Sequence, residues 1–459
     1  MKRLFIPILL IFTFISCGNP RDRHSGGRTD GNATTVNIQK QSTGLSYDGT
    51  IVDDDAIMST TLTLNMPTKI NIYIENSGSM NGFINQVSEY QDAIQNMLAW
   101  LEFYYNVENI KLHYINRSII YMQKPDNKTL LDFAQYMLSP QQFKSHGNGA
   151  STDLNNIVDM ILNQTDNNTI SILLSDNIYS ISGAQTVPVL LAECKNKTLQ
   201  AFLNKSKDLQ NKHRQSLSTT IIQLYSQFNG NYWDYQHPTG QASQTLNCKR
   251  PYYMCVIGEN SLVGTFNNNF DITKMNGYKN KYVLTDIGSL NPTCSILFNT
   301  YKIGKFKKVD NTTIRDAKID SHRHLFSFAI AIDLRDIPLS DDEKCNINLY
   351  EVSDDYVVDE VLKITNASIA PVDKNACENC THIIKISTTN TTTPSLKLSM
   401  KRLIPNWITN STSENDTHID KDVNEQSKTF GLSYFVNGIK EAYDKGQDKY
   451  FSQSITINR

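Results

Sequence analysis

The chain has 459 residues, of which 39% are hydrophobic and 20% charged, with a formal net charge of −2. That composition suits a folded body rather than a disordered one, and at roughly 150 residues per domain the length suggests two or three domains. The balanced charge and the lack of a long basic run give no footing to a nucleic-acid partner.

The first segment reads as a leader. Lys2 and Arg3 precede an apolar run from Leu4 to Ile15, and Ser16-Cys17 follows. A basic start, a short apolar core and a small residue mark a secretory signal too short to span a bilayer. Phe14-Ile15-Ser16-Cys17 resembles the lipobox of bacterial lipoproteins. The resemblance implies a signal peptide over 1–17, lipidation of Cys17, a membrane anchor through that lipid, and a place in the bacterial cell envelope, at the outer membrane or facing the periplasm. An ordinary cleaved signal with an incidental cysteine is the alternative. Residues 18–65 are rich in Gly, Asn, Asp, Thr and Ser and read as a flexible tether; Asp53-Asp54-Asp55 within it reads as a solvated acidic run.

The body opens on Ile70-Asn71-Ile72-Tyr73-Ile74, a β-branched run that ends in Glu75-Asn76-Ser77-Gly78-Ser79. Val87, Tyr90, Ile94, Leu98, Leu101 and Tyr104 follow at helical spacing. Ile110–Ile115 and Ile119–Met122 flank Asn116-Arg117 and predict an antiparallel edge hairpin. A short helix is predicted from Leu130 to Leu138, ended at Pro140. Ser151-Thr152-Asp153 opens another helix, with Leu154, Ile157, Val158, Ile161 and Leu162 on its buried face. Thr169–Ser175 is a buried strand ending in Asp176. A helix around 197–211 and strands at Thr219–Tyr225 and Tyr252–Gly258 continue the alternation. Strands alternating with helices predict an α/β domain over 66–275, built on a doubly wound, mostly parallel sheet of Rossmann type.

Beyond 275 the runs Tyr282–Leu284, Ser295–Tyr301, Leu325–Leu334, Asn346–Val352, Ile383–Ser387 and Leu396–Met400 are strand-like, with few helical stretches between them. They predict an antiparallel, sandwich-like β-rich domain over 276–459. One helix interrupts it, with Leu432, Phe435, Val436, Ile439 and Tyr443 on one face, and Ser454–Ile457 returns as a strand.

Three polar turns lie where strands of the first domain end or helices begin, so a parallel sheet gathers them on one rim: Glu75-Asn76-Ser77-Gly78-Ser79, Ser151-Thr152-Asp153 and Ser175-Asp176. Their order and content resemble the von Willebrand factor A (vWA) domain and its metal-ion-dependent adhesion site (MIDAS), over about residues 66–270. The resemblance implies a divalent cation, Mg²⁺ first and Mn²⁺ or Ca²⁺ as alternatives. Ser77, Ser79 and Thr152 would offer hydroxyls to it, and Glu75 and Asp176 would act directly or through water. An open position would accept an acidic side chain of a protein partner, in a protein that binds rather than catalyses. Glu75 stands where the family usually has Asp, and Asn177 where Gly is frequent. A structural scaffold of the cell envelope with a vestigial metal site is the runner-up.

Other readings of the residues are weaker. Ser77 or Ser79 as a hydrolase nucleophile needs a base such as His146 backed by Asp176, and the turn lacks the first glycine of a Gly-x-Ser-x-Gly elbow. Cys377-Glu378-Asn379-Cys380-Thr381-His382 lacks the second ligand pair of a zinc site, which leaves a local disulfide or two loop cysteines. Seven cysteines follow Cys17, an odd number, so complete internal pairing is impossible. Tyr225, Phe228, Tyr232, Trp233 and Tyr235 read as packing of a long strand before they read as a sugar or peptide site.

Overall fold

A computed structural model of the chain describes residues 66–458 apart from 147–151, 182–184, 238–242 and 354. The leader, Cys17, the tether and Ser151 lie outside the described residues. Seven strands form the first sheet: β1 (Lys69–Glu75), β2 (Ile110–Ile115), β3 (Ile119–Tyr121), β4 (Thr169–Ser175), β5 (Leu217–Tyr232), β6 (Gln244–Glu259) and β7 (Tyr278–Thr285), in the order β3-β2-β1-β4-β6-β5-β7. β1 runs parallel to β2 and β4, while every other neighbouring pair is antiparallel.

The protein is therefore mixed α/β, and the expectation of a mostly parallel sheet is corrected to a mixed one. The cause lies in β5 and β6, each 16 residues long. The connection 233–243 between them is shorter than the dozen or more residues that a parallel crossover needs, so the chain turns back on itself. Only the inner parts of these strands are continuously buried. Their outer halves, Ser226–Tyr232 and Gln244–Pro251, are polar and aromatic, which hid their length.

Helices cover both faces of the sheet. On one side lie α1 (Glu89–Tyr104), α2 (Leu130–Met137) and α3 (Pro140–His146), with α6 (Asn260–Asn269) further along; α4 (Leu154–Gln164) and α5 (Val187–His213) lie on the other. α1 buries Tyr90, Ile94, Met97, Leu98 and Leu101, but Val87 precedes the helix and is 96% exposed. Between β1 and α1 the chain makes a 3-10 turn at Gly78–Phe83, which buries Met80 and Phe83. This turn packs so closely on the outer half of β5 that a Cβ on Gly82 would stand 2.3 Å from the Phe228 ring. α5 begins well before the expected residue 197, with a proline in its first turn, where a missing N–H leaves no bond unmade.

The remaining strands are β8 (Cys294–Ile296), β9 (Lys305–Lys308), β10 (Thr313–Lys318), β11 (Phe326–Ile332), β12 (Tyr350–Glu351), β13 (Val357–Lys363), β14 (His382–Thr388), β15 (Ser395–Lys401), β16 (Thr412–Ser413), β17 (Thr429–Phe430) and β18 (Lys449–Ile457). They form a five-stranded sheet β12-β15-β18-β10-β9, a four-stranded sheet β13-β14-β11-β8, and the small pair β16-β17. Phe326, Phe328, Ile330, Ile384 and Ile386 of the four-stranded sheet share one core with Leu396, Leu398, Phe451 and Ile455 of the five-stranded sheet. Asn346–Val352, expected as a strand, is mostly a 3-10 turn at Ile347–Leu349. β9 escaped the sequence reading because Lys-Phe-Lys-Lys is the charged edge that a sheet uses against further pairing.

Two features place the boundary between these regions away from 275–276. β7 follows that point and is the edge strand of the first sheet. Between β15 and β18 the chain also leaves the second region and returns to the first. There the helix Leu432–Asp444 buries Leu432, Phe435, Val436, Ile439 and Tyr443 in the same core as Phe202 and Leu209 of α5.

Candidate metal centre

β1 and β4 are parallel neighbours, so Glu75 and Asp176 emerge side by side at their carboxyl ends. Glu75, Ser77, Ser79, Thr152 and Asp176 line one small cleft of about 50 Å³. The structure thus brings together all five residues singled out from the sequence. Ser77 Oγ lies 3.0 Å from Ser79 Oγ, and the Ser175 hydroxyl donates to Glu75 Oε2 at 2.5 Å.

The loop after β4 is shaped for this arrangement. Asn177 has φ 53°, in the left-handed region that Asn tolerates better than most residues. Its backbone N–H donates to Ser175 Oγ at 2.9 Å, so one chain of hydrogen bonds runs from the turn through Ser175 to Glu75. The Ile178 N–H donates to Asp176 Oδ1 at 3.2 Å. Asn76 braces the rim: its Oδ1 accepts from Asn116 Nδ2 at 3.0 Å, tying the ends of β1 and β2 together.

Glu75 and Asp176 are 4% and 5% exposed. Burial raises the Glu75 carboxyl well above its ordinary pKa, and the Asp176 charge raises it further, against the pull of the Ser175 and Ser77 hydroxyls. Burial likewise raises Asp176, opposed by the Ser79 hydroxyl, the Ile178 N–H and the Arg250 guanidinium. Arg250 is committed elsewhere: it donates to the Gln426 and Lys428 carbonyls and lies over the Tyr232 ring. Two buried carboxylates side by side are strained electrostatically, and a bound cation reverses that penalty.

Thr152 gives a second sign. It is 7% exposed, and its Oγ1 has no hydrogen-bond partner among the described residues although it lines the cleft. An unpaired buried hydroxyl costs about 1–3 kcal/mol, which a ligand at the cleft would recover. The oxygen set of two carboxylates and three hydroxyls fits a hard divalent cation. Among the described residues no group of three or more His, Cys, Asp or Glu side chains is placed to hold a metal. The proposed rim set contributes two such side chains, Glu75 and Asp176, and its other three members are hydroxyls.

The alternative constellations do not assemble. His146 ends α3 with its Nδ1 3.0 Å from the Gln142 carbonyl, and it does not line the cleft with Ser77 and Ser79. Cys377 and Cys380 are free thiols in a turn closed by Cys380 N–H to Cys377 O at 3.0 Å. Phe228 and Tyr232 are buried as packing residues, whereas Trp233 and Tyr235 line the cleft.

Asp234 and Asp416 also line it, and sequence reasoning found neither. Asp234 sits among aromatic residues just past the end of β5, beside His237. Asp416 offered no local pattern. A scan against protein-family models matches none, and a search of the curated proteins finds no match.

Proposed function

We propose that this is an exported, lipid-anchored binding protein whose rim cleft holds a divalent cation, Mg²⁺ first, and through it engages an acidic side chain of a protein partner. Glu75, Ser77, Ser79, Thr152 and Asp176 would hold the ion. In this reading the first sheet resembles a vWA domain from β1 to β4 and departs from it in the antiparallel β5–β6 hairpin. The parallel core β2-β1-β4 and the antiparallel edge strand β3 support the resemblance. The observation that carries the proposal is the convergence of three loops on two buried carboxylates and an unpartnered Thr152 hydroxyl. When bound, the cation supplies positive charge that makes desolvation of an acidic ligand affordable.

The test is a thermal melt of the full chain in chelator and with added Mg²⁺, Mn²⁺ or Ca²⁺, beside a Ser77→Ala/Ser79→Ala variant. Binding stabilises by mass action, about 2.7 kcal/mol at one hundred times the dissociation constant. A rise in the wild type that the variant lacks supports the site. No rise with any cation, both proteins being folded, removes it.

A further inference from the structure

A cleft of about 920 Å³ lies at the end of the seven-stranded sheet away from the rim. Ile170 at the start of β4 pairs with Gly258 at the end of β6, so α6 begins opposite the end that carries Ser175 and Asp176. The floor is the face of β5 and β7 that bears Ser218, Lys281, Val283 and Thr285, residues two apart on β7 sharing that face. One wall is α6 and the other is the segment 335–344 of the second region. Ligand sites commonly enclose roughly 300–1,000 Å³.

Gly264 is the first sign of an occupant. It sits inside α6 and lines the cleft, yet nothing beyond its own helix would stand within 4 Å of a Cβ there. Neither a left-handed backbone nor a close neighbour requires glycine, which weakens a helix relative to alanine. What the glycine does is leave the wall open.

Lys344 is the second sign. It is 5% exposed and lines the cleft, yet its ammonium makes no hydrogen bond among the described residues. Its one ion pair is a long contact of 3.8 Å to Asp341. A buried charge held so loosely gains from an anion. Lys281, on the floor, makes no ion pair among the described residues. Of the acids lining the cleft, Glu343 is taken up by the Ser340 N–H at 2.8 Å and the Ser340 hydroxyl at 2.7 Å, and Asp336 is exposed.

Most of the remaining lining is amide and hydroxyl, including Asn260, Thr265, Asn267 and Asn268 of α6, beside aliphatic Leu290 and Leu339. Asn267 Oδ1 is buried and has no partner among the described residues. Side chains that both donate and accept suit the hydroxyls of a sugar, aliphatic ones suit its C–H face, and ammonium groups suit a carboxylate. No aromatic ring lines the cleft, so nothing there offers a nucleobase a surface to stack on.

We propose that this cleft is a second binding site, for an acidic oligosaccharide whose carboxylate is held by Lys281 and Lys344 and whose hydroxyls pair with the amides of α6. The site is independent of the divalent-cation reading of the rim.

The test is isothermal titration calorimetry of the full chain, in chelator, with short oligomers of galacturonate, mannuronate and hyaluronan, beside galactotriose as an uncharged probe. At least one acidic oligomer should bind, and galactotriose should be weaker by roughly tenfold or more. Lys281→Met and Lys344→Met should each weaken that oligomer by roughly tenfold. Lys274→Met, at an exposed lysine paired with Asp271, should leave it unchanged. Gly264→Trp projects an indole into the open space and should abolish binding. No binding by any acidic oligomer overturns the proposal, and equal binding of galactotriose overturns the acidic character of the ligand. Unchanged affinity in a folded Gly264→Trp protein overturns the assignment to this cleft. If that variant fails to fold, unchanged affinity in Lys281→Met overturns it.

Discussion

Glu75 is held beside Asp176 by the strand pairing of β1 and β4, with hydroxyls as its near neighbours. Without a cation, burial first and the Asp176 charge second make an ionised Glu75 costly, so Glu75→Gln should stabilise the chelated protein by roughly 1–3 kcal/mol in denaturant unfolding. The same variant should lose most of the stabilisation that Mg²⁺ gives the wild type. Thr152→Val removes a buried hydroxyl that has no partner. In chelator it should be neutral or stabilising by up to about 1 kcal/mol, and its Mg²⁺ response should fall. A loss of stability in chelator for both variants would mean that these groups serve packing rather than an ion. The five rim residues were legible in the sequence because each sits where an apolar strand ends or an amphipathic helix begins, so residue type and position can be read together. Asp416 was not legible: only the tertiary path carries it to the rim, and nothing around Thr417-His418 hints at that path.

At the scale of elements, the close fit of the Gly78–Phe83 turn on β5 fixes how the Ser77-Gly78-Ser79 stretch leaves β1. Gly82→Ala forces its new methyl against the Phe228 ring. It should destabilise the protein by about 1–3 kcal/mol and weaken cation binding together, as measured by melting with and without Mn²⁺. On β2, burial pushes the His113 imidazole down to about 4, with the Lys111 charge adding to it, and the ring packs between Tyr73 and Tyr121. The unfolded chain takes up this proton near pH 6.5 and the folded one only near 4. The contribution of neutral His113 is therefore complete above pH 6.5 and lost as pH falls toward 4, on the order of 3 kcal/mol in all. His113→Gln should flatten that part of the stability profile, measured by urea unfolding from pH 4 to 7; an unchanged slope would assign it to other groups. Strands whose apolar alternation is unbroken, such as β1, β4 and β11, could be read directly. The outer halves of β5 and β6 could not, because polar residues such as Gln227 and Asn247 pair with each other across the two strands.

Across the whole molecule, the return of the chain from β15 to the first sheet interlocks the two regions. β18 is the central strand of the five-stranded sheet, and the helix just before it covers one face of the seven-stranded sheet. The change of pattern near 275 marks a change in strand composition, but pattern alone does not reveal which sheet a late helix covers. A fragment ending after β7 would leave the face around Phe202, Leu209 and Tyr282 without the helix Leu432–Asp444. It should aggregate or melt well below the full chain, and residues 66–459 should unfold in one transition by calorimetry. Two separate transitions would show that the regions are energetically independent.

The most direct test of the central claim is anomalous X-ray diffraction from crystals of the full body grown with Mn²⁺. The account predicts one strong peak within coordination distance of Ser77, Ser79 and Thr152 oxygens, between the Glu75 and Asp176 carboxylates. An ordered, empty rim at saturating Mn²⁺, or a peak only at exposed surface acids, would contradict it.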